Sequence, residues 1–485
     1  MKHLTFLFAS LLSVTHASAD VLEVPADYPT ILSALLAAQD GDTIAIAAGT
    51  YQMSYLEPGG LSIIITGETH PDGTPATIID GMQSGAVLQC NNGEDNTTIF
   101  RNLVLTNGSS YYGGGMTLFN ESSPRVENCH FINNTGTIEG GGIHIRGQCQ
   151  PEFIDCVIRD NLATGHGGGV FCMDGGTPSF IDCTISTNEA SQHGGGVYGI
   201  QSSVSLTSCN ITGNTATRGG GMYSIQDCTP TLQNCTFSDN VASIDGGGMY
   251  NLLNCNPVLE NCTFTANSVT GGQFAFGGGM YNRDNSNPQL TSCTFRNNQS
   301  TSAFSSGGAI ANTDSSPSLT DCLLEANTTN GAGGGMSNTG AGCEPVLIGC
   351  QIMGNNSTNG GGLSFYGDAT AQIIDCEVTT NTATNGGGIL NFSGISPDIS
   401  GTIVCGNTPD QIDGGWIDQG NNDITDTCPD CIGDATGDGM VDVNDVLYLI
   451  SVWDTADSNA DFDGDGLVDT DDVLILLSHY GETCI

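Results

Sequence analysis

Residues 246–267 read GGGMYNLLNCNPVLENCTFTAN, and residues 219–240 have already read GGGMYSIQDCTPTLQNCTFSDN. The phrase recurs along most of the chain. A glycine triplet, or a near copy, begins at 113, 140, 167, 194, 219, 246, 277, 306 (as SGGA), 333, 360 and 386, in steps of 25 to 31 residues. A cysteine follows each one: Cys129, Cys156, Cys183, Cys209, Cys235, Cys262, Cys293, Cys322, Cys350, Cys376 and Cys405. Most of these follow Asn or Asp and precede x-Phe or x-Ile. An Asn then stands three residues later, as in Phe131…Asn134, Phe237…Asn240 and Phe264…Asn267. A fixed period of this length marks a repeat architecture, and it governs every later step.

Each period holds three short stretches of alternating polarity: Gly-Met-Tyr-Asn, Pro-x-Leu and Cys-x-Phe, with Gly, Asn, Asp or Ser between them. Short strands bounded by turn residues, without helical periodicity, predict strand, turn, strand, turn, strand. One such unit cannot bury its apolar face alone. Stacked on its neighbours, every strand pairs with its copy one period on, which predicts three parallel sheets around a narrow core. The fold class expected is therefore all-β, a parallel β-helix.

Alternation assigns the columns. The residue after each triplet is apolar throughout (Met116, Ile143, Val170, Val197, Met222, Met249, Met280, Ala309, Met336, Leu363, Ile389) and should point inward. The cysteine and the Phe or Ile two residues later form a second inward column. Neighbouring coils lie ~4.8 Å apart, whereas a disulfide needs Cβ atoms at roughly 3.5–4.5 Å and turned toward each other. The cysteines thus read as small buried residues, mostly free thiols. The second residue after each triplet should turn outward. It runs His144, Phe171, Tyr198, Tyr223, Tyr250, Tyr281, then Ile310, Ser337, Ser364. Six such rings would make a stripe of roughly 24 Å. Two readings follow: Tyr198, Tyr223, Tyr250 and Tyr281 line a glycan track, or the rings merely stiffen the sheet or lie under a loop.

The start of the chain, MKHLTFLFASLLSVTHASAD, has Lys2 and His3 before an apolar run and Ala17-Ser18-Ala19 after it. This is the pattern of a secretory signal peptide over residues 1–19, and no later stretch has the ~20 apolar residues of a membrane helix. A secreted protein without a membrane span is expected. Beyond the signal, 7 Arg face 52 acids, so the net charge is 7 − 52 = −45. Such a surface repels nucleic acid, anionic lipid and polyuronates, and it attracts divalent cations. Residues 20–110 should form the N-terminal cap and first coils, with an amphipathic helix from about Thr30 to Gln39 over the open end. The repeated coils occupy 111–427.

Composition changes after Cys428-Pro-Asp-Cys431, and residues 428–485 read as a separate domain. GDATGDGMVDVNDVLYLI is followed 27 residues later by ADFDGDGLVDTDDVLILL. Each has oxygen ligands at positions 1, 3, 5, 7, 9 and 12 of a calcium loop, with Gly at 6. The first set is Asp434, Thr436, Asp438, the Met440 carbonyl, Asp442 and Asp445, around Gly439. The second is Asp461, Asp463, Asp465, the Leu467 carbonyl, Asp469 and Asp472, around Gly466. Two Ca²⁺ are expected, each loop opening into one apolar helix, 445–453 and 472–480. Cys484 could clasp Cys428 or Cys431. A zinc site using His479 is the alternative.

With these residues in view, residues 20–427 resemble the right-handed parallel β-helix of the pectin-lyase-like superfamily. Their GGxΦ and FxxN signals are similar to the repeats of polymorphic outer-membrane proteins. Residues 432–485 resemble a type I dockerin, a module that docks onto cohesins and is familiar on polysaccharide-degrading enzymes. Its partner-reading positions 10 and 11 are Val443-Asn444 and Thr470-Asp471 here. The resemblance implies a cohesin-like or cell-surface partner, and a calcium-stiffened cap is the plainer alternative.

Catalytic signals are sparse. The seven Arg form no RxPxxR, and Gly165-His166-Gly167 precedes Asn312-Thr313-Asp314, the reverse of the polygalacturonase order. Asp155 and Asp182 share a column one coil apart, with Asp321 and Asp375 further on. Asn, Ser and Gly fill the other copies, which suits a turn better than a paired-carboxylate glycosidase. Two functions are expected: a secreted, dockerin-bearing, polysaccharide-associated or adhesive scaffold, or a polysaccharide lyase or glycoside hydrolase delivered by that module.

Overall fold

The computed structural model describes residues 19–428, 432–436 and 440–481. Residues 1–18, including most of the expected signal peptide, lie outside the described residues, as do Asp438, Gly439, Cys431 and Cys484.

The repeated phrase folds as one coil. In the coil around 246–267, Met249–Leu252, Val258–Glu260 and Thr263–Thr265 are strands. Each pairs in parallel with its copy in the next coil, in the registers Met249↔Met280, Leu259↔Leu290 and Phe264↔Phe295. Repeated from coil to coil, these pairings build parallel sheets of 13, 16 and 15 strands. A single core cluster runs from Leu22 to Val404. Inside it Phe237, Phe264 and Phe295 stack at 4.7 and 4.6 Å. All three rings are fully buried, contributing ~2–3 kcal/mol each from transfer alone.

The glycine triplet is a steric requirement. Gly246 has φ +62°, and a Cβ on Gly247 would come within 2.3 Å of the Gly278 carbonyl oxygen. The coils approach too closely there for any side chain. The Asn of FxxN is equally structural. Asn267, fully buried, donates from Nδ2 to the Phe237 carbonyl (2.9 Å) and to Asn298 Oδ1 (3.0 Å). Its Oδ1 accepts from the Asn240 N–H (3.1 Å) and Asn240 Nδ2 (2.9 Å). The same bonds recur from Asn134 to Asn407, so each coil's turn is hydrogen-bonded to the next.

Several expectations need correction. Among the described residues there are four sheets, not three: the segments between FxxN and the triplet, such as Thr135–Glu139 and Val241–Asp245, pair into a fourth ladder of 11 strands. These segments are polar and variable, so alternation could not reveal them. The capping helix α1 spans only Ile31–Leu35, with Thr30 as its N-cap. At the near copy SGGA, Ile310 pairs with Met280 and Met336, so Ile310 occupies the inward column and Ala311 follows the tyrosines. Ala309 takes the place of the third glycine.

Cys405 leaves the cysteine column as well. Thr379 pairs with Cys405, while Thr402 takes the column place next to Cys376, its Oγ1 accepting the Cys376 N–H at 3.2 Å. Displaced three residues along, Cys405 points out of the core and forms a disulfide with Cys428. The expected clasp of Cys428 with Cys484 is thereby overturned. The ten remaining column cysteines, from Cys129 to Cys376, are buried free thiols.

The outward column is not outward to solvent. His144, Phe171, Tyr198, Tyr223, Tyr250 and Tyr281 are between 1% and 6% exposed. The last five form a second apolar cluster with Met173, Ile200, Ile225, Leu252 and Phe276. Rings of the preceding turn cover it: His166 stacks on Tyr198 at 4.8 Å, and His193 on Tyr223 at 4.8 Å. The glycan track through Tyr198, Tyr223, Tyr250 and Tyr281 is corrected on this ground, because a buried ring offers no face to a sugar.

Candidate metal centre

The two acidic loops each open into a short helix, α2 (Val443–Ser451) and α3 (Thr470–Ser478). Both begin two residues before the expected start, because Asp442 and Asp469 serve as N-caps. Asp442 Oδ1 accepts the Asn444 N–H at 2.6 Å, and Asp469 Oδ1 accepts the Asp471 N–H at 2.8 Å. Position 9 of each loop thus also fixes the helix start.

Position 12 ties each loop shut. Asp472 is fully buried; its Oδ1 accepts the Phe462 N–H (2.6 Å) and its Oδ2 the Asp469 N–H (2.8 Å). Asp445, also fully buried, accepts from Thr436 N–H (3.0 Å), Thr436 Oγ1 (2.9 Å) and Asp442 N–H (2.7 Å). Burial pushes the Asp445 carboxyl up, but those N–H and hydroxyl donors outweigh it and hold it below the ordinary range.

In the second loop, carboxylate oxygens of Asp461, Asp463 and Asp472 lie within 4.8 Å of one another. Gly466, at φ +92°, makes the sharp turn and donates its N–H to Asp461 Oδ2 at 2.9 Å. The other oxygen, Asp461 Oδ1, is buried without a hydrogen-bond partner. The Asp465 N–H pulls the Asp463 carboxyl down, yet burial and the neighbouring charges of Asp465, Asp472 and Asp461 leave it raised. Converging like charges and an orphaned carboxylate oxygen fit a hard cation with oxygen ligands. Asp465, Leu467 and Asp469 stand in the same loop. Of the first set, Asp434, Thr436, Met440, Asp442 and Asp445 are among the described residues, and Asp445 is bonded to Thr436 and Asp442.

Behind the loops the halves share one small core of Ala435, Val441, Leu449, Ala460, Val468 and Leu476. The Asp454 N–H bonds the Val468 carbonyl (3.0 Å) and the Gly481 N–H the Val441 carbonyl (2.8 Å), joining them.

On the β-helix, the position just before the triplet was missed. Successive coils place Tyr112, Glu139, His166, His193, Arg218, Asp245 and Phe276 in one register. The column then continues as Ser306, Ala332, Asn359 and Asn385. Five consecutive members carry ionisable side chains. Arg218 Nε bonds Asp245 Oδ2 at 2.9 Å. Burial raises the Asp245 carboxyl despite that arginine. Burial, with the charges of His166 and Arg218, lowers His193 to about 4. Aligning the residues before each GGG would have exposed this run. Asp155, Asp182, Asp321 and Asp375 sit at positive φ, from 50° to 53°, as turn residues.

The sequence matches the right handed beta helix region over residues 62–192 and 168–352, more than half of the chain, and the protein belongs to that family. No curated protein matches it. Among solved structures it is similar to pectin methylesterase from Aspergillus niger, at 16% identity over 59% of this chain and 87% of that one, with a TM-score of 0.30. It is similar to pectate lyase Pel9A at 14% identity, over 72% and 77%, with a TM-score of 0.30. The A-module of mannuronan C-5 epimerase AlgE6 from Azotobacter vinelandii is 13% identical, over 76% and 92%, with a TM-score of 0.36.

Proposed function

We propose that this is a secreted, polysaccharide-associated or adhesive β-helix scaffold that docks through a dockerin-like, calcium-binding C-terminal module. The observation that carries the docking role is a duplicated apolar face. Met440, Leu447, Ile450 and Trp453 are exposed on the first half, and Leu467, Leu474, Leu477 and Tyr480, each 27 residues on, are exposed on the second. All eight are between 38% and 60% exposed, although the module already has a core of its own. A repeated apolar face on a module with 13 acids and no Lys or Arg over residues 432–485 suits a protein partner such as a cohesin-like module.

Asp434, Thr436, Asp438, the Met440 carbonyl, Asp442 and Asp445 would hold one calcium ion, and Asp461, Asp463, Asp465, the Leu467 carbonyl, Asp469 and Asp472 the other. Bound there, calcium supplies charge compensation. The chain's own groups do the positioning: Asp442 and Asp469 cap α2 and α3, and buried Asp445 and Asp472 close the loops beneath the exposed faces.

The test is capture of the full chain by immobilised cohesin modules and by insoluble neutral polysaccharides, with calcium or with chelator. Calcium-dependent capture by a cohesin, lost in a Leu447→Asp/Leu474→Asp double variant, is expected. Failure of every cohesin to retain the chain in calcium would remove the docking reading. Failure of every polysaccharide would remove the glycan reading.

A second reading, a polysaccharide lyase or glycoside hydrolase, is favoured by the titratable run from Glu139 to Asp245. It predicts sugar release that falls in an Asp245→Asn variant. Against acidic substrates stands the pairing of all seven arginines with acids.

A further inference from the structure

With the tyrosine column buried, the exposed aromatic rings with polar neighbours lie elsewhere. A groove of about 900 Å³ runs between the capping helix and Gly49–Gln52, the first strand of the 15-stranded sheet. Its lining comprises residues 29–32 and 50–55, and none of the ten is charged. In a chain with 52 acids, an uncharged groove stands apart from the rest of the surface.

Two tyrosines shape it. Tyr51 is half-buried against the core and donates its hydroxyl to the Ala47 carbonyl at 3.1 Å, which fixes the ring. Burial, then the Glu68 charge, raises its phenol, so it stays neutral. Tyr55 is 46% exposed and sits at φ +56°, a conformation costly for a bulky residue. Its ring lies over Gly85, where a Cβ would come within 2.5 Å of Tyr55 Cε2. Gly85 thus makes room for a strained tyrosine that still leaves nearly half its surface open. Nothing in the coil's hydrogen bonding needs that ring, and strain of this kind gathers at ligand clamps.

The remaining lining matches the rings. Leu32, 56% exposed, forms the opposite wall. Thr50, Gln52 and Ser54 make no side-chain hydrogen bond to any described residue, so their hydroxyls and amide remain available. Aromatic faces with uncharged donors and acceptors suit a hydroxylated, uncharged ring; they do not suit an ion.

We propose that the groove lined by Tyr51, Tyr55 and Leu32 binds a neutral pyranose unit of a polysaccharide. The proposal rests on the reading of the chain as polysaccharide-associated and gives that reading a site at the N-terminal cap. Stacking on Tyr55 and Tyr51 holds the sugar ring, and Thr50, Gln52 and Ser54 meet its hydroxyls.

The experiment has two arms. Full-length chain is first tested for retention on insoluble neutral polysaccharides. It is then titrated calorimetrically with neutral β-glucan, xylan and mannan hexasaccharides. Tyr55→Gly removes the ring and suits the left-handed backbone, and Leu32→Glu places a charge at an exposed wall; both should fold. The expected result is that at least one hexasaccharide binds and both variants weaken it about tenfold or more. Retention by polysaccharide with equal hexasaccharide affinity in all three proteins would overturn the groove and leave the association standing. Absence of any retention would overturn the association itself, and the proposal with it.

Discussion

The asparagine column offers the sharpest quantitative test of why the coils hold together. In Asn267→Ala, four hydrogen bonds disappear: two accepted from Asn240 and two donated, to Phe237 and to Asn298. Two of the groups left behind keep another partner. Asn298 Oδ1 still receives the Asn267 N–H at 3.1 Å, and Asn240 Nδ2 still reaches the Ile211 carbonyl at 2.8 Å. The Asn240 N–H loses its partner in a fully buried site. At ~0.5–1.5 kcal/mol per bond the loss is ~2–6 kcal/mol, and the orphaned N–H favours the upper half. Guanidinium unfolding followed by circular dichroism, in constant calcium, measures it. The control is Gln233→Ala on the exposed face one coil earlier, expected to stay within ~0.5 kcal/mol of wild type. If Asn267→Ala also stays within ~0.5 kcal/mol of wild type, the asparagines are not the bond between coils and the account of the repeat is wrong.

Three further outcomes follow from burial. Tyr223→Ser and Tyr250→Ser empty sites only 3% and 2% exposed, so each should cost ~3–5 kcal/mol in the same unfolding assay; a neutral effect would put these rings back on the surface. The sixteen thiols buried among the described residues should resist a thiol reagent in the native protein and react only on unfolding, and fast native labelling of the ten column cysteines would contradict the inward column. His193 is held near 4, below its ordinary 6.5, so its neutral form suits the fold. Stability should be full above about pH 6.5 and fall as the pH drops toward 4, and His193→Gln should flatten that slope in thermal melts. An unchanged slope would show that His193 is solvated.

What the sequence made legible was whatever recurs in nearly every coil. The glycine triplet, the cysteine and the FxxN asparagine each sit at a close contact repeated from coil to coil, so period and inward columns could be read from letters alone. The fourth sheet escaped because its strands are polar, and backbone pairing leaves no side-chain signature. The tyrosines escaped because alternation separates the two faces of a strand but cannot say whether a turn covers the outer one. Cys405 looked like one more copy, yet Thr402 holds the column place one ordinary step beyond Cys376, and Cys405 lies three residues further on, where Cys428 reaches it. In the acidic loops the ligand spacing was plain, whereas the double duty of Asp442 and Asp469 as helix caps appeared only in three dimensions.

The central claim is that residues 432–485 bind calcium through two matched loops. Calcium titration of the chelator-stripped full chain by calorimetry tests it most directly, with Asp445→Ala and Asp472→Ala in parallel. Two ions per chain are expected, each variant should lose one, and the helical signal of α2 and α3 should rise with the first equivalents. A chain that takes up no calcium, or two variants that titrate like the wild type, would contradict the account.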